Sequence, residues 1–238
     1  MRNITVAQIT DKVKDSVIKI NYHLDETLVD LIKKARSKET KEISKSVLDD
    51  IIENQDIARK GNVPLCQDTG VVVVFLEIGR EVILDGDIYD AINDGVRKGY
   101  QEGYLRKSMV NHPFTRVNTL DNTPAIIHTK LVAGDKILLK IASKGGGSEN
   151  MSRVTMLTPA EGIEGVKKLV LDTIFNAGGK PCPPIIVGIG IGGNLEKSAL
   201  LAKESLLRDL DDSNENDEIK QLEDDLYKEI NKLGVGPM

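Results

Sequence analysis

Tryptophan is absent from this 238-residue chain, and aromatic residues make up only 3% of it. Base-stacking platforms and aromatic cages therefore have little to be built from. A basic excess is missing too. The formal net charge is −5 and the pI is about 5.4, so no overall positive field exists to hold nucleic acid or an anionic membrane. An anionic small substrate remains admissible, because a site can be locally positive within an acidic protein. Long apolar runs are lacking as well: the longest, Val71 to Leu76, is strand-sized, far from the roughly 18 apolar residues that span a bilayer. The N-terminus alternates charged and apolar residues and has no uninterrupted apolar core of the secretory kind. The expectation is a cytoplasmic protein with neither nucleic acid nor membrane as partner. Cysteine is scarce, Cys66 and Cys182 being the two, and in a reducing compartment they are not expected to pair as a disulfide.

What is present is ordinary globular material, 40% apolar and 29% charged, in proportions that suit a folded core. Residues 1–60 read as a helical layer. Ile9, Val13 and Val17 recur at four-residue spacing, Leu28, Leu31, Ile32 and Ala35 repeat the pattern, and Ile43, Val47, Ile51 and Ile52 do so again. Residues 61–208 read as an α/β core. Val71–Ile78 is a β-branched run with strand character, and Asp87–Leu105 a helix in which Gly95, Gly99 and Gly103 share one face. Two readings of those glycines stand: close approach of a neighbouring backbone, or a weakened surface helix. Pro124–Val132 and Lys136–Ser143 read as two antiparallel strands joined across Ala133-Gly134-Asp135. Thr158-Pro159-Ala160-Glu161 has the pattern of a capping box with proline at the first helical position. Ile185–Ile191 reads as a further strand and Asn194 as the cap of a helix to about Arg208. Residues 209–238 read as an acidic loop, through Glu218, and a helix from about Gln221 to Leu233. Helices first and strands interleaved later, with no internal repeat, predict one α+β domain over 1–238, with mixed, largely antiparallel strands flanked by helices.

Three loops could carry chemistry. One is Asn62 to Gly70, which holds Cys66 after Pro64 and leads straight into a strand. Another is Lys144-Gly145-Gly146-Gly147, whose consecutive glycines free the backbone to approach a ligand. The third is Lys180-Pro181-Cys182-Pro183-Pro184. None matches a nucleotide motif: the lysine precedes the glycines instead of following them, and Gly188-Ile189-Gly190-Ile191-Gly192-Gly193 has the wrong spacing for a dinucleotide fingerprint. Proline on either side of a cysteine fixes the chain, which suits a thiolate that must point at a metal without rearranging. Two buried, inert thiols are the alternative. Iron–sulfur clusters are bound by cysteine thiolates, most often four, and three protein ligands would leave one iron open as a Lewis acid. Two are too few, so such a cluster needs a partner segment.

Leu65-Cys66-Gln67-Asp68-Thr69-Gly70, Ala142-Ser143-Lys144-Gly145-Gly146-Gly147-Ser148-Glu149-Asn150 and Pro181-Cys182-Pro183-Pro184, in this order, resemble the α subunit of class I fumarases and the related L-tartrate dehydratases. The resemblance covers essentially the whole chain. It implies a hydro-lyase whose [4Fe–4S] cluster is held by three cysteines, two of them Cys66 and Cys182. It also places Gln67 and Asp68 beside the substrate and the iron-bound hydroxyl. Arg106 falls where the family binds a substrate carboxylate, and Lys144 and Gly146 at the substrate; a solvated helix-end cation is the alternative for Arg106. The family's chains continue past Gly234–Met238 through a histidine and a third cysteine that this sequence lacks. The expectation is therefore a truncated chain on which the cluster is absent until that segment is restored. His23, His112 and His128 lie outside that context. The expected activity is reversible hydration of fumarate to malate, as in the tricarboxylic acid cycle, with L-tartrate dehydration the alternative and a non-enzymatic binding module a further one. The expected partners are a β subunit, a small dicarboxylate and further copies of the chain in a homo-oligomer.

Overall fold

The computed structural model describes residues 1–237. The chain divides into two compact units: residues Met1–Asp25 with Ile51–Gly146, and residues Glu26–Asp50 with the segment from Gly147 onward.

The first unit is built around strand β2 (Val71–Gly79). Helix α1 (Val6–Tyr22) opens with a reciprocal cap, the Thr5 hydroxyl accepting from the Gln8 amide and the Gln8 side chain accepting from the Thr5 amide. Its Ile9, Val13 and Val17, the residues at four-residue spacing, are all buried. They meet helix α4 (Ile88–Glu102), whose first turn is capped by the Asp87 carboxylate accepting from Tyr89 and Asp90. The glycines of α4 allow close approach: a Cβ added to Gly95 would lie 2.6 Å from Val13 Cβ and 2.7 Å from the Thr10 carbonyl oxygen. The Thr10 hydroxyl, meanwhile, donates to Ala91 O across the two helices at 3.0 Å. Of the two readings of those glycines, close helix packing is the one realised. The sheet lays Val72, Val74 and Leu76 against this helix pair, joined by Ile92, Val96 and Tyr100 in one cluster. Each such aliphatic burial stabilises by about 1.5–3 kcal/mol before chain entropy is counted.

The mixed α+β class holds, but the expected hairpin does not. Strands β4 (Ile126–Val132) and β5 (Ile137–Lys144) flank β2 in the order β4-β2-β5, β4 parallel to β2 and β5 antiparallel. The connection through Gly134 crosses the end of β2, where the amides of Gly79, Arg80 and Glu81 donate to Lys136, Val132 and Gly134. The physical reason lies in β2 itself. Its run from Val72 to Leu76 is buried on both faces, which favours the central position, whereas the more exposed β4 and β5 suit the edges. Strand β1 (Arg2–Ile4) pairs in parallel with β3 (Val82–Leu84) as a separate ladder, so the antiparallel share is the β2–β5 ladder.

In the second unit, helix α2 (Glu26–Lys38) is tied to the start of α3 (Glu42–Gly61) by the Arg36 guanidinium, which forks onto both Asp49 oxygens at 2.8 Å. A short helical turn, α5 (Gly146–Glu149), leads toward the capping box read at Thr158 and Glu161, which forms as expected. Helix α6 (Gly162–Ala177) then packs on α8 (Asp217–Ile230) through Val170, Ile174, Leu222 and Leu226. Helix α8 starts earlier than the sequence pattern indicates, because Asn216 accepts from the amides of Glu218 and Ile219 and the acidic first turn suits a helix N-terminus. The strand expected at 185–191 is not formed. Its backbone lies directly on helix α7 (Leu195–Ser205): a Cβ at Gly188 or Gly190 would come within 2.2 Å of Ala202 O or 2.0 Å of Ser198 O. No helix among the described residues is long and apolar enough to cross a membrane.

Candidate functional site

The antiparallel ladder sets the site. Val71, the first residue of β2, is in register with Lys144, the last residue of β5. The Cys66 loop before β2 and the glycine segment after β5 are therefore neighbours. Gly70 completes the approach. With φ +65° it occupies the left-handed region, and a Cβ there would fall 2.5 Å from both the carbonyl carbon and oxygen of Lys144. Asp68 then bridges the two segments. Its Oδ1 accepts from Gly70 N at 3.1 Å and its Oδ2 from Gly146 N at 3.0 Å. The sulfur of Cys66 accepts from Asp68 N at 3.4 Å and lies 3.3 Å from Gln67 Oε1, toward which the thiol donates. Below the loop, Leu65 donates to Asn21 O and accepts from the Asn54 amide group.

A set of buried polar groups that the sequence pattern does not mark holds this loop from beneath. The Tyr100 hydroxyl, fully buried, donates toward Thr69 O and Gly70 O at 2.6 and 3.0 Å. Burial pushes its pKa up to about 12, so it acts as a neutral donor. Asn122, also fully buried and at φ +62°, accepts from Ser108 N and Met109 N and donates to Gly70 O. The Thr69 hydroxyl donates to Arg106 O at 2.8 Å. Asp121-Asn122-Thr123-Pro124 does announce a turn, and an asparagine there is well suited to the left-handed conformation. Nothing local says that it reaches back to residue 70.

Of the residues singled out in the sequence, Cys66, Gln67, Asp68, Lys144 and Gly146 thus lie together at one end of the β2–β5 ladder, with Gly145 beside the Asp68 carboxylate. Arg106 joins them through its backbone, and its side chain is exposed. Cys182 belongs to the second unit, exposed and at φ +57°, with its amide donating to Gly179 O. A left-handed non-glycine residue is costly and clusters at functional sites. In the same unit a Cβ on Gly147 would lie 2.8 Å from Lys180 O, just before the Cys182 turn, and Glu149 is ion-paired with Lys203 of α7. Both cysteines are free thiols. Exposed thiols are soft donors that suit iron–sulfur or zinc more than magnesium or calcium, and an N–H aimed at a sulfur, as Asp68 N is at Cys66, tunes such a ligand. The donor types fit an iron–sulfur cluster in kind and fall short in number, since among the described residues no three histidine, cysteine, aspartate or glutamate side chains converge. A surface groove lined by Lys167, Asp225 and Lys228 lies between α6 and α8, and its Lys167 and Asp225 answer each other at 2.9 Å.

A family model described as fumarate hydratase (Fumerase) matches residues 10–238. The chain is 45% identical over 238 residues to "Putative L(+)-tartrate dehydratase subunit alpha" of Methanocaldococcus jannaschii, covering 95% of this chain and 83% of that one. It is 30% identical over 236 residues to "L(+)-tartrate dehydratase subunit alpha" of Escherichia coli K12, covering 98% of this chain and 78% of the relative, and equally so to the Shigella sonnei protein of that name. With a match along nearly all of its length, the chain belongs to the fumarate hydratase family of hydro-lyases, as an α subunit of the class I type.

Proposed function

We propose that this chain is the α subunit of an L-tartrate dehydratase that works with a β subunit on a hydroxylated dicarboxylate. The substrate choice rests on one observation, the shared name of relatives that are 45% and 30% identical along nearly the whole chain. Loss of water from L-tartrate gives the enol of oxaloacetate. The reaction removes a proton from the carbon beside one carboxylate and releases a hydroxyl from the next carbon. A [4Fe–4S] cluster, when bound, supplies a Lewis acid at that hydroxyl. Cys66 and Cys182 are assigned as two of its ligands, and further coordination comes from outside these two residues.

The chain's own groups have distinct tasks in this reading. Asp68, fixed in one orientation by two backbone N–H groups, holds the proton at the departing hydroxyl, and the Gln67 amide lies beside it. The planar fork of Arg106 pairs two oxygens of a substrate carboxylate at once. Lys144 adds positive charge at the same end of the ladder. Gly146, its N–H engaged by Asp68, leaves an edge free of side chain along which a substrate can lie. Cations and aligned N–H groups are what a carbanion beside a carboxylate needs.

Anaerobic co-expression with the β subunit and with the segment that completes the cluster ligands, followed by rates on L-tartrate, malate and fumarate, tests the reading. A kcat/KM highest for L-tartrate is expected. A preference for fumarate and malate would replace it with fumarate hydration, the second reading, which the description of the family model favours. Activity on none of these would overturn both. Iron and sulfide analysis tests the ligands separately: Cys66→Ser and Cys182→Ser should each lower the bound iron.

A further inference from the structure

We propose that Thr69 is a positioning residue that sets substrate affinity by fixing Arg106 against the Asp68 loop. The inference rests on the role given to Arg106 above. Arg106 sits outside any helix or strand, two residues after Tyr104 at φ +50°, so no ladder or helix determines where its guanidinium begins. Its place is set instead by bonds to the residues that follow Asp68. The Thr69 hydroxyl, on a residue only 3% exposed, donates to Arg106 O at 2.8 Å. The next carbonyl, Gly70 O, is joined through the Asn122 side chain to the amides of Ser108 and Met109. On the near side, Leu105 is buried and its amide donates to Tyr100 O at 3.0 Å, while the Tyr100 hydroxyl holds Thr69 O.

The Arg106 segment is therefore tied to Thr69 directly and to Thr69 and Gly70 through Tyr100 and Asn122, and Gly70 N is also one of the two donors that hold Asp68. Of these bonds, the Thr69 hydroxyl is the one that reaches Arg106 itself. A β-branched residue has restricted χ1 freedom, so threonine aims its hydroxyl more firmly than serine would, and valine keeps the shape while losing the bond. Loosening this bond leaves Asp68 with both of its N–H donors and leaves Cys66 untouched. The expected consequence is weaker capture of the carboxylate with less effect on the chemical step, which appears in KM before kcat.

The test uses the complete enzyme with its β subunit and L-tartrate as substrate. Thr69→Val should raise KM roughly fivefold, the scale of one lost hydrogen bond, with a smaller change in kcat and unchanged iron content. Thr69→Ser should restore most of the affinity. In an Arg106→Ala background, Thr69→Val should add nothing further, because its effect passes through Arg106. If Thr69→Val does not fold, Thr69→Ala, which admits water to the Arg106 carbonyl, takes its place in the same cycle. An unchanged KM in Thr69→Val, equal losses in Val and Ser, or additive losses with Arg106→Ala would each overturn the proposal. An Arg106→Ala enzyme with normal KM would instead remove the carboxylate-binding role on which the proposal stands, and the two failures are read from different variants.

Discussion

Oδ2 of Asp68 accepts a hydrogen bond from the amide of Gly146 at 3.0 Å, and this contact joins two segments 78 residues apart in sequence. Its partner oxygen accepts from Gly70 N, so both oxygens of one carboxylate face backbone donors. An asparagine cannot reproduce that. Whichever way its amide is turned, an NH2 group faces an N–H. Asp68→Asn is therefore expected to lower stability by about 1.5 kcal/mol, the lower end for a lost bond to a charged group, as well as to cut kcat by roughly a hundredfold or more. Thermal unfolding beside steady-state rates checks both. An asparagine variant with native stability would show that the two N–H groups do not depend on the second oxygen.

The packing of α1 on α4 makes a graded prediction. Alanine exceeds glycine in helix propensity by about 1 kcal/mol, which favours substitution at both Gly95 and Gly99. At Gly95 a Cβ meets Val13 Cβ at 2.6 Å and a backbone oxygen at 2.7 Å, so the helices must separate; at Gly99 the nearest atoms are 3.1–3.3 Å away. Overpacking costs about 1–3 kcal/mol, which outweighs propensity at Gly95 and roughly cancels it at Gly99. Gly95→Ala should lower the unfolding midpoint by several degrees and Gly99→Ala by little. Equal midpoints for the two variants would contradict the close packing.

Tyr100 predicts an alkaline weakness. Its pKa is raised by burial from 10.0 to about 12, so the folded state favours the neutral phenol. The stability this gives is complete below the unfolded pKa, near 10, and is lost as pH rises through about 12, because the unfolded chain sheds the proton first. The full loss is about 3 kcal/mol. Stability measured from pH 9 to 12 should fall by most of that amount more in the native protein than in Tyr100→Phe. The phenylalanine variant should itself be weaker at neutral pH, since Thr69 O and Gly70 O lose a donor. Parallel pH profiles for the two proteins would overturn the assignment.

Much of this arrangement was legible in the sequence where the cause is local. The four-residue spacing of Ile9, Val13 and Val17, the capping box at Thr158 and Glu161, and the strand character of Val71–Ile78 all report nearest-neighbour physics. The Cys66 and triple-glycine motifs were visible as loops at strand ends, which is why their meeting at Asp68 and Gly146 follows once the β2–β5 ladder is known. Pairing partners were not legible. Short, partly exposed strands such as β4 and β5 fit any neighbour, and the connection through Gly134 looks like a hairpin turn until β2 is placed between them. The segment 185–191 has strand composition, yet its glycines are there to lie on α7. Tyr100, Asn122 and Thr69 carry the loop through bonds to residues far away in sequence, for which no spacing rule exists. The substrate could not be read from the motifs either, since they resemble fumarases and L-tartrate dehydratases alike.

The last prediction concerns Asn122, fully buried and bonded through its side chain to three backbone groups. Its Oδ1 takes the amides of Ser108 and Met109, and its Nδ2 reaches Gly70 O at 3.1 Å. Asn122→Ala removes these partners at once and places a Cβ-only residue at φ +62°, a conformation that asparagine tolerates better than alanine. Gly70 O keeps Tyr100 as a donor, so the unmet groups are chiefly the two amides. At about 1 kcal/mol or more for each partly buried donor left unsatisfied, the expected loss is roughly 2 kcal/mol or more. Asn122→Asp keeps the acceptor for both amides but sets a carboxylate oxygen against Gly70 O, so it should retain the 106–109 turn while loosening the Cys66 loop. Hydrogen exchange separates these outcomes. In Asn122→Ala the amides of Ser108 and Met109 should exchange much faster. In Asn122→Asp those two should stay protected, while Gly70 N, which Asp68 holds, becomes the faster one. Protection of Ser108 and Met109 surviving in the alanine variant would mean that Asn122 is not what holds the Arg106 segment to residue 70.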